Sequence, residues 1–455
     1  MSFFSSKIHK YIFVFLVFFT SFTRVYRVNY PTETYFDEAY HVPAVRLIAN
    51  NDSRAYEWWH EPIAGDDYHD WLHPPLAKII QAVSVRVFGD NAWGWRLPSV
   101  IAGTGLVVAI YFFAKQLFGQ LFTTDRAEKI GLLSALLVAI DGLPLVQSRI
   151  AMNDIFLVVF MFMALICFSR WQPKIWQFRI DRFLEKKNGF VKNKNTWLLL
   201  TGLLLGLGLA VKWSMLLLML YLLILVIVGA INSKAWRVLP LAMFCLMLLP
   251  LFIYLLSYFQ MFLQGKTFTH FIELHQQIIW YQTNRDSDHS YQSLPSDWLL
   301  NRRPVWYWTG TKLIADDDWI PKQVANIYAI GNPVVHLLAL VVLIYQLGTV
   351  AVYWNNEKKL CFRLSTLSLF LFLWLPWFLS PRILFYHIYL PASLMLNILL
   401  SEFLITTVLK KSALVFWLLL IFMASCFVLF YPHWTGIAIS TRQAEKIYFA
   451  FPSLR

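Results

Sequence analysis

Roughly eleven stretches of about 17–25 mostly apolar residues dominate this chain, and a run of that length is what an α-helix needs to cross a bilayer. They fall at about 11–28, 93–117, 130–147, 150–170, 196–211, 213–231, 238–258, 331–353, 362–379, 383–404 and 412–431. Lipid offers no partner to a backbone N–H or C=O, so spans of this kind must be helical. A soluble fold is excluded by the same count. Of the 455 residues, 58% are hydrophobic and 14% charged, and the mean hydropathy is +0.54. A water-soluble domain of this size leaves too much surface wet to hide that much apolar area. The 20 Trp suit the two membrane interfaces, where amphipathic rings sit at headgroup depth. The expected fold class is an all-α polytopic membrane protein.

A formal charge of +13 would suggest nucleic acid in a soluble protein. In a membrane protein, cytoplasmic loops collect Lys and Arg instead. Basic connections hold Lys7 and Lys10, Arg126 and Lys129, the run from Arg179 to Lys194, Lys234 and Arg237, Lys358 and Lys359, and Lys410 and Lys411. With eleven spans and a cytoplasmic N-terminus, all of these lie on one side, which sends the C-terminus outside. Two long loops, 29–91 and 259–329, then share the outer face, and both are rich in Asp, Glu, His, Trp and Tyr. The whole chain, 1–455, reads as one membrane-embedded domain without internal repeats. The N-terminal run lacks a clear small-residue cleavage site and is read as a retained first span. Cys167, Cys245, Cys361 and Cys426 have neither metal-ligand nor disulfide spacing and read as small hydrophobes.

The first outer loop opens with Tyr35-Phe36-Asp37-Glu38-Ala39-Tyr40-His41. An alcohol nucleophile needs a positioned proton acceptor, and a carboxylate just beyond a span can supply one; a helix-capping acid is the bland alternative. The loop continues through Trp58, Trp59, His60 and Glu61 to Asp70-Trp71-Leu72-His73-Pro74-Pro75-Leu76-Ala77-Lys78. The stretch 75–88 is too short and too charged to span, and is expected to lie in the interface as an amphipathic helix. That puts His73 and Lys78 at phosphate depth, unless Lys78 merely snorkels.

Further cations stand at the outer ends of spans: Arg96, Arg149, Lys212, Arg382 and His387. Ionisable groups at membrane depth cost several kcal/mol unless paired, and Arg matches phosphate oxygens well. Arg149 with Asp154 is an alternative internal couple. The second loop carries Asp286, Asp288, His289, Tyr291 and Gln292; its Asp and His spacing matches no specific metal motif.

Together these segments resemble the protein O-mannosyltransferase family, the dolichyl-phosphate-mannose-protein mannosyltransferases of the GT-C fold. YFDEAYH resembles the family's first-loop Asp-Glu motif. DWLHPPLAK resembles its His-Pro-Pro-Leu-Gly-Lys motif, with Ala77 at the Gly position. GWRLPS, QSRIAMNDIF, GLGLAVKWSMLLL, HSYQSLPSDW and SPRILFYHIYLP follow in the family's order, with Ser290 where Pro is usual and Ile388 inserted after His387. The resemblance covers nearly the whole chain and is closest to prokaryotic members, which lack the MIR domain.

That resemblance implies a polyprenyl-phosphate-mannose donor, a Ser or Thr hydroxyl of a secreted or translocating polypeptide as acceptor, and inversion at the anomeric carbon. It implies residence in a prokaryotic plasma membrane, with the protein translocation machinery as a further partner and no nucleic acid. Asp37 is assigned as base with Glu38 in support. Arg96, Arg382 and His387, then Lys78 and Arg149, are assigned to the donor phosphate. His73, His289, Tyr291 and Gln292 are assigned to substrate positioning. No residue is assigned to metal, and no cofactor is expected, because cations alone can hold a monophosphate leaving group; a divalent cation stays open. A related transferase acting on a lipid or cell-wall glycan is the alternative. A transporter is the remote one, since it would place its charges at midplane and show repeats.

Overall fold

The structure, a computed structural model, describes residues 2–60, 68–180, 194–284, 288–310, 323–352 and 356–449. Asp286 and Glu61, singled out above, and most of the basic run between Arg179 and Lys194 lie outside them. Among the described residues nine helical segments are long and apolar enough to span a membrane. The other two expected spans are there as shorter pieces. Residues 130–147 form α5 (Thr124–Ala139) and α6 (Gly142–Gln147), broken at Asp141. Residues 196–211 form α8 (Lys194–Leu209), 16 residues long. This is a multi-pass membrane protein.

The first span, α1 (Ser2–Val25), sorts its residues by face. Leu16, Thr20 and Arg24 are buried, while Phe15, Phe18 and Phe22 are exposed on the side that lipid would cover. The chain then rises into α2 (Glu38–Ala49) and reaches α3 (Leu76–Phe88), the expected interfacial helix. Ala77, Lys78, Gln81 and Ala82 of α3 face inward, and Val83, Val87 and Phe88 face outward. Next, Asn91 caps α4 (Ala92–Phe118): its Oδ1 accepts from the N–H of Trp93 at 3.0 Å and Gly94 at 3.2 Å, satisfying two of the donors every helix start leaves open. Helix α4 packs against α5 and against α7 (Asp154–Trp171), and α7 packs against α8. Close approach uses small residues; a side chain at Gly202 of α8 would run into the Cys245 carbonyl of the span Trp236–Ser257.

The second long loop is not irregular throughout. It contains the helix Phe268–Asn284 and an antiparallel pair, Val305–Thr309 with Asn326–Ala329. A second short pair joins Gln323–Val324 to Ile439–Ser440. Val305 and Tyr307 point inward and Trp306 does not, the period-two pattern of a half-buried strand. The first loop meets this ribbon through Phe36 stacked on Tyr307 and Trp308 Nε1 donating to Glu33, and residues of both loops line the site.

Candidate active site

Asp37 and Glu38 are adjacent in sequence, yet the fold sends them to different tasks. The residue before them, Phe36, has a φ of +51°, a left-handed conformation that costs a side chain about 1 kcal/mol or more. Its ring is held by stacking on Tyr307, with centroids 3.9 Å apart. From there Asp37 precedes the first turn of α2, its carboxylate on the wall of a cavity of about 740 Å³. Glu38 turns inward and is fully buried. It accepts from Arg96 Nε at 2.8 Å, from Arg96 Nη2 at 2.7 Å and from the Ala151 N–H at 2.8 Å.

That pairing corrects the expectation for Arg96. Besides Glu38, its guanidinium donates to the carbonyls of Val28 (3.0 Å), Pro31 (2.5 Å) and Glu33 (2.8 Å). All of the five N–H donors an arginine has are thereby occupied, and no face is left for a phosphate. Arg149 is corrected for a similar reason. It donates to the carbonyls of Arg24 and Tyr26 at 2.7 Å each and of Arg27 at 3.2 Å, closing the carbonyl groups that the end of α1 leaves unsatisfied. Its proposed couple, Asp154, pairs instead with Lys212 at 2.8 Å. Lys78 is the third correction. Its three donors go to the Asp70 carbonyl (2.6 Å), Asp70 Oδ2 (2.9 Å) and the His73 carbonyl (2.9 Å).

Arg382 reaches the cavity, lining it together with Asp37. Among the described residues it donates only to Gln282, so most of its fork remains free. His387 is buried, and its Nδ1 has no hydrogen-bond partner among the described residues; its ring packs near Phe36, Tyr307 and Phe385. His73 and His289 line the cavity; Tyr291 and Gln292 do not. Tyr291 packs against Trp306, and Gln292 is exposed at the end of a turn closed by its N–H on the His289 carbonyl.

The structure adds residues that the motifs held without a role. Asp70 gathers Lys78, His73 and His41 around one carboxylate. Lys212 and Asp154 form a pair whose charges reach Asp37. Trp58, Trp71, Tyr281 and Gln282 complete the wall. The Lys212 signal was its place in a turn between two spans; Trp71 and Tyr281 carried none beyond being aromatic.

Electrostatically, the two loop carboxylates are pushed apart. Burial raises Asp37 to about 7, with Asp154 and Asp70 adding to the rise and Lys212 and Arg382 opposing it. Burial also pushes Asp70 up, but the Lys78 ammonium, with His73 after it, holds it well below the usual carboxylate range. His41 is driven down to about 3 by burial and is a neutral imidazole. A carboxyl poised near neutrality beside a free guanidinium can take a proton from a hydroxyl while an anionic leaving group departs. A cavity of this size is typical of small-molecule sites, which run roughly 300–1,000 Å³.

Known proteins resemble this chain along most of its length. A model described as dolichyl-phosphate-mannose-protein mannosyltransferase matches residues 14–264, and one for the C-terminal four-transmembrane region of protein O-mannosyltransferase matches 267–450. Among curated relatives, the polyprenol-phosphate-mannose–protein mannosyltransferase of Corynebacterium glutamicum is 26% identical over 366 residues, covering 69% of this chain and 66% of that one. The corresponding Mycolicibacterium smegmatis protein is 25% identical over 408 residues, covering 78% and 74%. The chain thus spans about two thirds to three quarters of their lengths. Among solved structures, the S. cerevisiae Pmt1-Pmt2 complex bound to its sugar donor shares the fold, with a TM-score of 0.74 at 14% identity over 97% of this chain and 92% of that one. ArnT from Cupriavidus metallidurans, bound to undecaprenyl phosphate, gives 0.56 at 13% identity over 93% and 64%. With the expected GT-C architecture in place and family models covering both halves, this chain belongs to the dolichyl-phosphate-mannose-protein mannosyltransferase family.

Proposed function

We propose that this enzyme transfers mannose from a polyprenyl-phosphate-mannose donor to a Ser or Thr hydroxyl of a polypeptide, with inversion at the anomeric carbon. The observation that carries the reading is the split of the Asp37–Glu38 pair: one carboxylate is locked to Arg96, and the other is left free on the cavity wall with Arg382. Asp37 takes the hydroxyl proton as the acceptor oxygen bonds to C1 of the sugar. The C1–O bond to phosphate breaks, and the leaving polyprenyl phosphate keeps the electron pair. Arg382 meets the charge that develops there, with Lys212 and His387 in support, as preorganised electrostatics requires. His73 and His289 bracket the sugar or the acceptor from the cavity wall. Cations suffice for a monophosphate, so this chemistry routes no step through a metal.

In this reading both long loops face the outside of a prokaryotic plasma membrane, with the N-terminus in the cytoplasm and the C-terminus outside. The basic short connections support that orientation, and it suits acceptors emerging from the translocation machinery. The test is transfer of radiolabelled mannose from the lipid donor to a Ser/Thr-rich peptide by purified enzyme beside Asp37→Asn. Labelled peptide with wild type and none with Asp37→Asn is expected. Near-normal turnover by the variant removes Asp37 from the base role, and label found only in lipid or glycan removes the polypeptide acceptor.

A further inference from the structure

One cluster on the cavity wall joins His73 to two residues, His41 and Asp70, that the transfer chemistry does not use. His41 and His73 both aim Nδ1 at the Asp70 carboxylate, at 3.2 Å from Oδ2 and 3.0 Å from Oδ1 respectively. One ligand atom from each of the three lies within 4.8 Å of the others. We infer that His41, Asp70 and His73 form a binding site for a divalent ion of the zinc class.

Four observations converge on it. The ligand types are two imidazoles and one carboxylate, the set that suits zinc, cobalt and nickel better than magnesium or calcium. The spacing fits as well, because ligands about 2.0–2.1 Å from a tetrahedral ion stand roughly 3.3 Å from each other. His41 Nδ1 is buried and, although close to Asp70, makes no hydrogen bond among the described residues. An imidazole nitrogen buried without a partner costs about 1–3 kcal/mol, and a metal ion relieves that cost. Finally, the ligating segment is already braced. Lys78 donates to Asp70 Oδ2 and to the carbonyls of Asp70 and His73, and the Asp70 N–H donates to the Tyr40 carbonyl at 2.9 Å. Outer hydrogen bonds of this kind orient metal ligands.

Asp70 supplies the site's one negative charge, and the Lys78 ammonium already leans on it, so the site is selective rather than extremely tight. Three protein ligands leave a position open, and His73, with 23% of its side chain exposed, marks the side that faces the cavity. The His41 N–H donates to the Asp37 carbonyl, one helical turn earlier. A bound ion therefore fastens the first loop to the helix that carries Asp37. It is a clamp on the base's position, and it leaves the phosphate to Arg382.

The experiment uses the full chain purified in detergent, with its affinity tag removed and metals stripped by chelator. The protein is loaded with zinc, freed of excess by gel filtration and measured by elemental analysis; cobalt loading is followed by its visible absorption. One zinc per chain is expected, with a four-coordinate cobalt spectrum, and His41→Ala and His73→Ala each lower the retained metal at least about tenfold. If His41→Ala does not fold, His73→Ala on the more exposed side chain carries the test. Wild type that emerges without metal overturns the site, and so does zinc retained equally by the His41→Ala/His73→Ala double variant. Metal content is read without any transfer assay, so failure here leaves the transferase reading standing.

Discussion

Asp37→Asn is expected to do two opposite things: abolish transfer and raise stability, the second only where Asp37 is ionised in the wild type. Burial lifts the Asp37 carboxyl from 3.8 to about 7. The folded protein thus holds this proton more tightly than the unfolded chain does, and folding loses free energy as pH rises between the two values. A rise of about three pH units corresponds to about 4 kcal/mol at full value. Asp37 keeps part of its surface open to the cavity, and water there screens the cost, so about half of it, roughly 2 kcal/mol, is the expected penalty. Asn cannot ionise and escapes it. Membrane proteins commonly unfold irreversibly, so the readout is apparent melting temperature from tryptophan fluorescence at one scan rate in one detergent. At about pH 3, below the rise, the variant and the wild type should melt together. Above about pH 8, the variant should melt a few degrees higher. A gap that is the same at both pH values, or a variant that melts lower at the alkaline end, would refute the claim that a desolvated carboxylate sits on this wall.

The remaining predictions separate cations that hold the fold from those that face the cavity. Arg96→Met leaves Glu38 buried and unpaired, which costs about 3–5 kcal/mol; a sharp fall in folded yield is expected, whereas a folded but inactive variant would restore Arg96 to the phosphate. Arg382→Ala is expected to keep its melting temperature and lose transfer by about 100–1,000-fold, the scale for removing one preorganised donor. Arg149→Ala should show the reverse balance, with melting lowered through the lost clamp on α1. Transfer by wild type should climb as pH rises through about 7, where Asp37 gives up its proton, and then level off; a rate that is flat from pH 5 to 8 would remove Asp37 from the base role.

The architecture was legible because lipid simplifies the problem. With one allowed backbone solution inside the bilayer, length and hydropathy alone locate spans, and nine of them stand where the apolar runs lie. Of the two that came out short, one breaks at an identifiable residue. Asp141 interrupts α5–α6 by accepting from the Asn332 N–H and the Asn397 amide, partners nearly two hundred residues or more away. The strand pairs in the second loop also depend on distant partners, Ile439 and Ser440 in one case. Register between remote segments is not written in local period.

The site divides along the same line. Asp37 and Arg382 were legible because each stands just outside a span, and a charge placed there without a local partner asks for a ligand. Arg96, Arg149 and Lys78 presented the same sign of charge at the same depth, and nothing local distinguished them. What separated them was where backbone carbonyls happen to accumulate. Arg149 meets the C-terminal end of α1, Arg96 meets the turn at Val28–Glu33 with Glu38 beside it, and Lys78 meets the loop that carries Asp70. A cation that answers unsatisfied carbonyls is part of the scaffold, and a cation that still has donors to spare is part of the chemistry. Counting donors against acceptors makes that distinction, and it needs coordinates. By that count Arg382 is the arginine proposed for the donor phosphate. The pair Arg96–Glu38 is the strut that keeps Asp37 facing the cavity, so charge reversal of the pair, Glu38→Arg with Arg96→Glu, should not recover transfer. An arginine at position 38 cannot accept the Ala151 N–H, and a glutamate at position 96 cannot donate to Val28, Pro31 and Glu33.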